Sequence, residues 1–311
     1  MRILFMGTPD FAVPSLMRLV GDGHDICGVF TQPDKPRGRG MKISYSPVKI
    51  AAVRENIPVF QPVSLKDEAV RRLIEGLAPE LVAVVAYGKL LPDYVLSYPK
   101  FGCVNVHASI LPKYRGAAPI HWAVINGERE TGVTTMHMAS RLDAGDIIYV
   151  DKTEISPCDT VGSVHDRLML MGAELLSKTV DAAANGTLPR IPQNDGDATF
   201  APMITKETCR IDWTQSVARI LNLIRGTNPW PTAWTKLDGV IIKIHSASLG
   251  EKVDGYARGA IIPDNSSGAV CAVCSGGEVI RITELQAQGG KRMSASDYLR
   301  GHGITDGKAF E

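Results

Sequence analysis

The fold is decided by a run of six apolar residues, Leu81-Val-Ala-Val-Val-Ala86. A strand covered on one face alternates apolar and polar residues, whereas a strand buried on both faces is apolar throughout. Further strand-like runs, separated by helix-like segments, occupy residues 2–6, 26–31, 59–60 and 103–106. Strands that alternate with helices pair in parallel. The first half of the chain is therefore predicted to be α/β, with a doubly wound, Rossmann-like sheet.

The second half changes in character after a long helix. Residues 161–184 have an apolar stripe at helical spacing, Asp159-Thr160 as a plausible cap and Gly186 as a stop. Residues 187–206 are polar, contain three prolines and lack periodicity. Short strand-like runs separated by glycine-rich turns follow, which is typical of a small β-barrel. We predict a first domain over residues 1–189, a linker over 190–207 and a C-terminal barrel domain over 208–311.

Size and composition indicate an ordinary globular protein. The 311 residues are enough for two domains with cores of their own, and 44% are hydrophobic and 22% charged. A net charge of +1 does not exclude a nucleic-acid partner, because local patches matter more than the sum. The sequence has neither an apolar run of about 18 residues nor a signal peptide at its N-terminus. We expect a cytoplasmic protein.

Six cysteines are spread along the chain, at positions 27, 103, 158, 209, 271 and 274. The pair in Cys271-Ala-Val-Cys274 has the spacing of a metal or redox site, but no second pair or histidine cluster accompanies it. It also lies in an apolar, strand-like stretch. We therefore interpret these residues as ordinary core or surface thiols and expect no metal.

Three polar residues indicate chemistry most clearly: Asn105, His107 and Asp143. Asn105 and His107 occupy alternate positions at the end of a strand-like run, so their side chains are predicted to lie on the same side of that strand. Asp143 lies in a turn-like segment, Arg141-Leu-Asp-Ala-Gly-Asp146, after another strand-like run. Ligands of doubly wound sheets bind beyond the carboxyl ends of the strands. The three residues form a candidate site.

This trio suits acyl transfer to a nucleophile that comes from a substrate. Imidazole titrates near neutrality and serves as a general acid or base. An asparagine amide can donate to an oxyanion, and a carboxylate can orient the imidazole or hold a water. Ser109 and Cys103 are near in sequence, but neither clearly completes a nucleophilic triad. A purely structural histidine is the competing interpretation, and the neighbouring Asn105 weighs against it.

The segment after the first strand does not support a nicotinamide cofactor. A dinucleotide fingerprint requires Gly-x-Gly-x-x-Gly, and Gly7-Thr-Pro-Asp-Phe11 supplies one of its three glycines. Pro9 instead suits the first turn of a helix, where its missing N–H costs nothing. We expect no NAD, although the helix N-terminus could hold an anion or a carboxylate.

A basic loop spans residues 32–42, where prolines and glycines exclude a helix. It carries four basic residues against one acid: Lys35, Arg37, Arg39 and Lys42 against Asp34. The loop is either a solvated surface or a mobile lid that meets phosphates. From Cys209 onward, 12 basic residues stand against 10 acidic ones, which is compatible with RNA binding and does not demonstrate it.

Seven motifs form a characteristic set: Phe-Met-Gly-Thr-Pro-Asp-Phe-Ala (5–12), Pro-Asp-Lys-Pro-Arg-Gly-Arg-Gly (33–40), Ala-Tyr-Gly-Lys-Leu-Leu-Pro (86–92), Asn-Val-His-Ala-Ser-Ile-Leu-Pro-Lys-Tyr-Arg-Gly-Ala-Ala-Pro-Ile (105–120), Leu-Asp-Ala-Gly-Asp (142–146), Asn-Pro-Trp-Pro-Thr-Ala-Trp (228–234) and Met-Ser-Ala-Ser-Asp-Tyr-Leu (293–299). Along the length of the chain, this set resembles the methionyl-tRNA formyltransferase family. The central motif with the Asp-Ala-Gly-Asp turn is typical of folate-dependent formyltransferases with various acceptors. Ile110 stands where leucine is usual, a conservative difference.

The resemblance implies a formyltransferase-type sheet followed by an OB-like barrel, with 10-formyltetrahydrofolate as donor and methionyl initiator tRNA as acceptor. We also expect a monomer that uses no metal and no NAD. The residues implied as catalytic are Asn105, His107 and Asp143. Those implied to contact the folate are Ser109, Ile110, Leu111, Pro112, Ala86, Tyr87, Gly88 and Leu90. Those implied to contact the tRNA are Lys35, Arg37, Arg39 and Lys42, together with the C-terminal domain.

Two alternatives stay open at this point. One is a related enzyme that formylates a 4-amino sugar nucleotide, which shares the central motif. The other is an RNA-binding or regulatory protein with a degenerate site, against which the intact Asn105, His107 and Asp143 argue.

Overall fold

The computed structural model of the protein describes residues 1–37, 42–264, 268–302 and 307–311, apart from the side chains of residues 37, 42, 43, 263 and 264. The chain folds as two compact units. The first comprises Met1–Pro119, Glu130–Thr153 and His165–Ala201, and the second comprises Ile120–Arg129, Glu154–Val164 and Pro202–Glu311. Two short segments from the middle of the sequence thus belong to the second unit.

The strands are, in chain order, β1 (Arg2–Gly7), β2 (Asp25–Phe30), β3 (Lys35–Arg37), β4 (Lys42–Ser44), β5 (Val59–Phe60), β6 (Leu81–Val85), β7 (Cys103–His107), β8 (Arg115–Gly116), β9 (Glu130–His137), β10 (Ile147–Glu154), β11 (Phe200–Ala201), β12 (Ala233–Leu237), β13 (Val240–Leu249), β14 (Ile261–Asp264), β15 (Ala269–Val273), β16 (Val279–Ala287) and β17 (Met293–Ser294). The helices are α1 (Val13–Gly21), α2 (Pro47–Arg54), α3 (Glu68–Leu77), α4 (Asp93–Ser97), α5 (Pro119–Ile125), α6 (Val161–Ala184), α7 (Val217–Gly226) and α8 (Ala295–Gly301). In the described ranges, none of them has both the length and the apolar character needed to cross a membrane.

A seven-stranded sheet with the order β10-β9-β7-β6-β1-β2-β5 forms the centre of the first unit. Strands β7, β6, β1, β2 and β5 pair in parallel with their neighbours, and β9 runs antiparallel to β7. Every residue of β6 is buried, as expected for a strand covered on both faces. The predicted doubly wound α/β fold is confirmed.

Helices cover both faces of this sheet. On one face, Val70 and Ile74 of α3 share a core cluster with Val84 of β6. On the other face, α6 approaches β7 so closely that a Cβ atom at Gly172 would lie 2.9 Å from a methyl carbon of Val106. A glycine at this position lets the long helix lie directly on the strand that carries Asn105 and His107.

The second unit is built around an antiparallel sheet with the order β12-β13-β16-β15-β14, to which β17 is added beside β16. Irregular register around Ser246 of β13 increases the curvature of the sheet. Ile220 of α7 and Tyr298 of α8 pack with Ile244 and Ile282 of the sheet in one core. A curved antiparallel sheet around its own core agrees with the predicted small barrel domain.

None of the six cysteines, all of which lie in the described ranges, forms a disulfide. Cys271 and Cys274 are both buried, but they belong to two different core clusters. Burial raises the pKa of the Cys274 thiol to about 11. This thiol therefore stays protonated at neutral pH, as an ordinary core residue would.

Candidate active site

Asn105 and His107 lie at the carboxyl end of β7, next to the carboxyl end of β6. Asn105 pairs with Val84 of β6 and with Met136 of β9. Both polar side chains lie on the same face of the sheet, because side chains along a strand alternate with a period of two. His107 is buried and Asn105 is half-buried, so the asparagine amide is accessible to a group bound at the sheet edge.

The His107 ring is held from one side by the backbone. Its Nε2 lies 2.9 Å from the carbonyl oxygen of Tyr114. A carbonyl oxygen can only accept a hydrogen bond, so Nε2 carries a proton and donates it. The other ring nitrogen, Nδ1, faces Asp143, with 3.8 Å between Nδ1 and Oδ2. Nδ1 is therefore the ring nitrogen that is left to face the carboxylate and a bound substrate.

Asp143 reaches this position from the turn between β9 and β10. Its backbone is in the left-handed region, with φ of 48°, which aspartate adopts more often than most residues with a side chain. Its Oδ2 accepts a hydrogen bond from the backbone N–H of Gly116 at 2.8 Å. The carboxylate is thus fixed between a backbone donor and the His107 ring. The structure brings the predicted catalytic residues together.

The turn that presents Asp143 is closed tightly by Gly145. A Cβ atom at this position would lie 1.8 Å from the carbonyl oxygen of His137, so a larger residue cannot be placed there without moving the turn. From the other side, the Gln193 side chain donates to the carbonyl oxygens of Asp143 and Gly145, at 2.9 and 2.8 Å. Hydrogen bonds therefore hold both the backbone of this turn and the carboxylate of Asp143.

The loop after β7, residues 108–118, is named the pinned loop because it is fixed by hydrogen bonds, both within the loop and from Thr134 of β9. The hydroxyl of Ser109 donates to the carbonyl of Lys113 at 2.6 Å. The buried Thr134 donates to the carbonyl of Ser109 at 2.6 Å and accepts from the N–H of Leu111 at 3.2 Å. Two residues implied to contact folate are half-buried within it: Ile110 and Pro112.

The loop after β6, residues 86–92, is named the exposed loop. Its backbone is anchored at Tyr87, whose carbonyl accepts from the Thr8 hydroxyl at 3.2 Å and from the Gln32 amide at 3.0 Å. The Tyr87 ring is buried below the loop, and burial raises the pKa of its hydroxyl to about 12. The other residues implied to contact folate face outward: Ala86, Gly88 and Leu90.

A cleft of about 390 Å³ opens beside the exposed loop, between residues 63–66 and 89–92. Lys89 lines this cleft, and its ammonium group donates to the carbonyl oxygens of Pro62 and Val63. Val63 and Leu90 form an apolar rim, with 81% and 71% of their surfaces exposed. Apolar side chains beside a few fixed polar groups are typical of small-molecule sites.

The predicted basic loop contains a short hairpin formed by β3 and β4. Lys35 is exposed on β3. The backbones of Arg37 and Lys42 pair with each other across the hairpin, but their side chains are outside the described residues. Arg39 lies wholly outside the described residues. The structure therefore places Lys35 on an exposed surface and leaves the contacts of the other three side chains as predictions.

The single acid of the basic loop is already paired. Asp34 forms an ion pair with Lys49 and accepts from the amide of Gln61 at 2.8 Å. The hydrogen bond from Lys49, followed by that from Gln61, lowers the pKa of the Asp34 carboxyl. Because Asp34 is paired with Lys49, its charge does not offset that of Lys35.

Gln193 and Thr134 lie at the site but were not anticipated from the sequence. Gln193 falls within the segment predicted to be a linker, where β11 pairs with β8 in a two-stranded parallel sheet. Nearby, the pKa of the Asp195 carboxyl is lowered by hydrogen bonds from Arg115 and then from Arg141. The one available signal was the cluster of polar residues after Pro192, which local patterns could not connect to Asp143.

The chemistry of the site is that of an amide donor, a proton-carrying imidazole and a carboxylate around one accessible position. Within the described part of the chain, no group of three or more His, Cys, Asp or Glu residues is arranged to hold a metal ion. The three side chains together can stabilise a developing oxyanion and move a proton.

Comparisons with known families agree with this geometry. Residues 1–180 match a family model described as formyl transferase, and residues 203–303 match one described as formyl transferase, C-terminal domain. The methionyl-tRNA formyltransferase of Alkaliphilus oremlandii is 50% identical over 307 residues, which cover 99% of this chain and 98% of the relative. That of Pelotomaculum thermopropionicum is also 50% identical over 307 residues, covering 99% of this chain and 97% of the relative.

Solved structures with the same fold are more distant in sequence. HypX from Aquifex aeolicus in complex with tetrahydrofolic acid has a TM-score of 0.68 at 18% identity, over 98% of this chain and 48% of that chain. WlaRD, a sugar 3N-formyl transferase crystallised in the presence of dTDP and 5-N-formyl-THF, has a TM-score of 0.68 at 18% identity, over 91% and 97% of the two chains. At this identity the likeness establishes the fold.

Proposed function

The chain belongs to the methionyl-tRNA formyltransferase family, and from this premise we propose that it transfers a formyl group from 10-formyltetrahydrofolate to the amino group of methionyl initiator tRNA, for translation initiation. The observation that carries the proposal is the 3.8 Å approach of His107 Nδ1 to Asp143 Oδ2, on the strand that also presents Asn105. The bound folate supplies an electrophilic formyl carbon, and the methionyl amine supplies the nucleophile.

Asn105 and His107 stabilise the charge that develops during the transfer. When the amine attacks, negative charge grows on the formyl oxygen, and the Asn105 amide and the protonated His107 donate hydrogen bonds to it. The backbone carbonyl of Tyr114 already fixes the ring through Nε2, so donation to the substrate uses Nδ1. Removing one such preorganised donor typically raises the barrier by about 3–4 kcal/mol.

Asp143 supports the protonated ring and the movement of protons. Its carboxylate lies on the Nδ1 side of His107, where it can pair with the ring when the ring carries both protons. The attacking amine must lose a proton, and the nitrogen that leaves the formyl group must gain one. A water held by Asp143 accepts the first of these protons, and the same carboxylate and ring return a proton to the leaving nitrogen.

The pinned loop and the exposed loop are proposed to hold the folate between them. Both follow neighbouring parallel strands and so lie at the same sheet edge. In the pinned loop, the half-buried Ile110 and Pro112 offer contact from one side, while Ser109 and Leu111 fix the backbone. In the exposed loop, Ala86, Tyr87, Gly88 and Leu90 border the ring system, beside the cleft with its apolar rim.

The tRNA is proposed to contact two separate basic surfaces. Lys35, Arg37, Arg39 and Lys42 of the basic loop meet the acceptor arm, which is supported by the exposure of Lys35 and the ion-paired state of Asp34. Residues 208–311 hold the rest of the tRNA. In the second unit, the charged groups of Lys206 and Arg210 lie 5.4 and 5.8 Å from the centre of the Trp234 ring, a combination typical of nucleic-acid surfaces.

The decisive experiment compares two acceptors. Purified enzyme is incubated with 10-formyltetrahydrofolate and either methionyl initiator tRNA or a 4-amino sugar nucleotide, and the formylated product is measured. We expect transfer to the tRNA only. Transfer to the sugar nucleotide in its place would overturn the proposed acceptor while leaving the formyl chemistry intact.

We further propose that the enzyme acts in the cytoplasm as a monomer, without metal or NAD. Gel filtration at working concentration is expected to give one peak near 33.6 kDa. Turnover is expected to be unchanged by EDTA, and a loss of turnover that added metal restores would contradict this.

A further inference from the structure

Gln193 uses both ends of its amide. The Nε2 group donates to the carbonyl oxygens of Asp143 and Gly145, at 2.9 and 2.8 Å. The Oε1 atom accepts from Nε and Nη2 of Arg115, at 3.0 and 2.8 Å. The residue lies after the first family match, which ends at residue 180, and before the second, which begins at residue 203.

Arg115 fixes the orientation of this amide. Its guanidinium is 3% exposed, and its remaining Nη1 forms an ion pair with Asp195 at 2.8 Å. Guanidinium groups only donate hydrogen bonds, so the oxygen of Gln193 must face Arg115. The NH₂ group is then aimed at the two carbonyl oxygens. Loss of the Gln193 side chain would leave the two carbonyl oxygens and the Nε and Nη2 groups of Arg115 without these partners, which is costly for buried groups.

The turn that Gln193 holds requires such support. Asp143 has a left-handed backbone, and Gly145 lies against His137 with no room for a side chain. The neighbouring Arg141 and Leu142 are exposed, so packing does not hold that side of the turn. The two hydrogen bonds from Gln193 span the turn from its left-handed residue to its glycine.

We propose that Gln193 is a positioning residue: by holding the backbone of the 142–146 turn, it keeps the Asp143 carboxylate at His107 Nδ1. The inference rests on the proposed function, since the carboxylate it positions is the one assigned to proton transfer. Glutamine is required at this position because two carbonyl oxygens need donors and Arg115 needs an acceptor. A glutamate would satisfy Arg115 but would face the two carbonyls without a proton to donate.

Turnover and binding constants of Gln193→Glu and Gln193→Ala test the proposal. We expect kcat to fall about 10- to 100-fold, because a displacement of about 1 Å at a reacting group has an effect of this size. The KM values for folate and tRNA are expected to stay near those of the wild type. Asn56→Asp is the matched control, since it makes the same amide-to-acid change at an exposed residue of the same unit, whose left-handed backbone aspartate also tolerates.

A double-mutant cycle separates positioning from simple structural support. In an Asp143→Asn background, Gln193→Ala is expected to change kcat less than about twofold, because the carboxylate it positions is already gone. An equal loss in both backgrounds would overturn the proposal, as would full activity of both single variants or a loss of kcat that merely follows a loss of folded protein. Failure of the wild-type enzyme to formylate methionyl tRNA would instead refute the proposed function, so the two failures are distinct.

Discussion

The pinned loop and the exposed loop follow neighbouring strands of one sheet and are built in opposite ways. The pinned loop is fixed by the buried hydroxyls of its own Ser109 and of Thr134 on β9, which satisfy backbone groups of the loop. In the exposed loop, the backbone is anchored at Tyr87, while Leu90 projects outward with 71% of its surface exposed. Both loops are implied to contact the same folate.

The difference separates two requirements of one reaction. Transfer chemistry needs donors fixed to a fraction of an ångström, which buried hydrogen bonds provide. Ligand entry and release need an accessible surface that can adapt. We therefore expect changes on the pinned side to lower kcat or stability, and changes on the exposed side to raise KM.

The largest effect is expected from His107→Ala, at the base of the pinned loop. Loss of a general acid typically lowers turnover by about 10²- to 10⁴-fold, and the KM values are expected to change little. His165→Ala, on α6, removes another imidazole of the same unit and is expected to keep full turnover. Near-normal turnover of His107→Ala would contradict the assignment of His107 as the central residue of the proposed site.

Thr134→Val is expected to loosen the pinned loop itself. The change keeps the shape of a side chain that is fully buried but leaves Leu111 N–H and Ser109 C=O without their partner, which costs about 1–3 kcal/mol. We expect a lower Tm and a lower kcat. Thr131→Val makes the same change at the other end of β9. Equal Tm and kcat in both variants would show that this hydroxyl does not fix the loop.

Leu90→Ala tests the exposed loop. If folate covers this side chain, removing three carbon atoms loses about 1–2 kcal/mol of binding, which is about a 5- to 30-fold higher KM for folate. The kcat and the Tm are expected to stay as in the wild type. Leu170→Ala on α6 is the control for loss of an exposed leucine. A fall in kcat at constant KM would break the contrast between the two loops.

Lys35 lies in neither the pinned nor the exposed loop, and Lys35→Ala is expected to weaken tRNA binding alone. Loss of one phosphate contact reduces the slope of log affinity against log salt by about one. We expect a few-fold weaker tRNA binding at low salt and an unchanged KM for folate. Lys100→Ala, an exposed lysine of the same unit, is the control. Identical salt slopes for both variants would remove Lys35 from the tRNA surface.

The smallest effect is expected from pH, which changes the stability of the protein through the buried imidazole of His137 on β9. Burial lowers the pKa of His137, whose Nε2 donates to the Pro189 carbonyl at 3.1 Å. The folded state favours the neutral ring, so its contribution is complete above pH of about 6.5 and is lost as pH falls towards the lower folded pKa. We expect Tm to be lower at pH 5.5 than at 7.5, and His137→Gln to reduce this difference. An unchanged pH dependence in the variant would contradict the assignment.

Local patterns in the sequence were sufficient to predict much of the fold. Helix α6 occupies the predicted residues 161–184: Thr160 accepts from the N–H of Ser163 at 3.2 Å, and Gly186 follows the helix with φ of 68°. The apolar β6 is fully buried, as its composition predicts. Asn105 and His107 could be found in the same way, because strand alternation is also a local property.

The remaining parts of the site depend on contacts between distant residues. Thr134 looks like any β-branched residue of a buried strand, and its hydrogen bonds to the pinned loop are set by the pairing of β9 with β7. Gln193 lies in a stretch without periodicity. Nothing in the neighbouring sequence indicates that its side chain contacts both Arg115 and Asp143. The sequence gives residue types there, whereas the fold decides which of them meet.

The pairing of β8 with β11 has a consequence for the synthesis of the protein. It joins residues 115–116 to residues 200–201, next to Gln193. The ribosome finishes the last strand of the large sheet at Glu154, and at about 5–20 residues per second the next roughly 40 residues take a few seconds. A nascent chain therefore possesses the side chains proposed as catalytic before it possesses Gln193, which we propose positions Asp143. On this proposal it matures as an enzyme only when this late segment has been made.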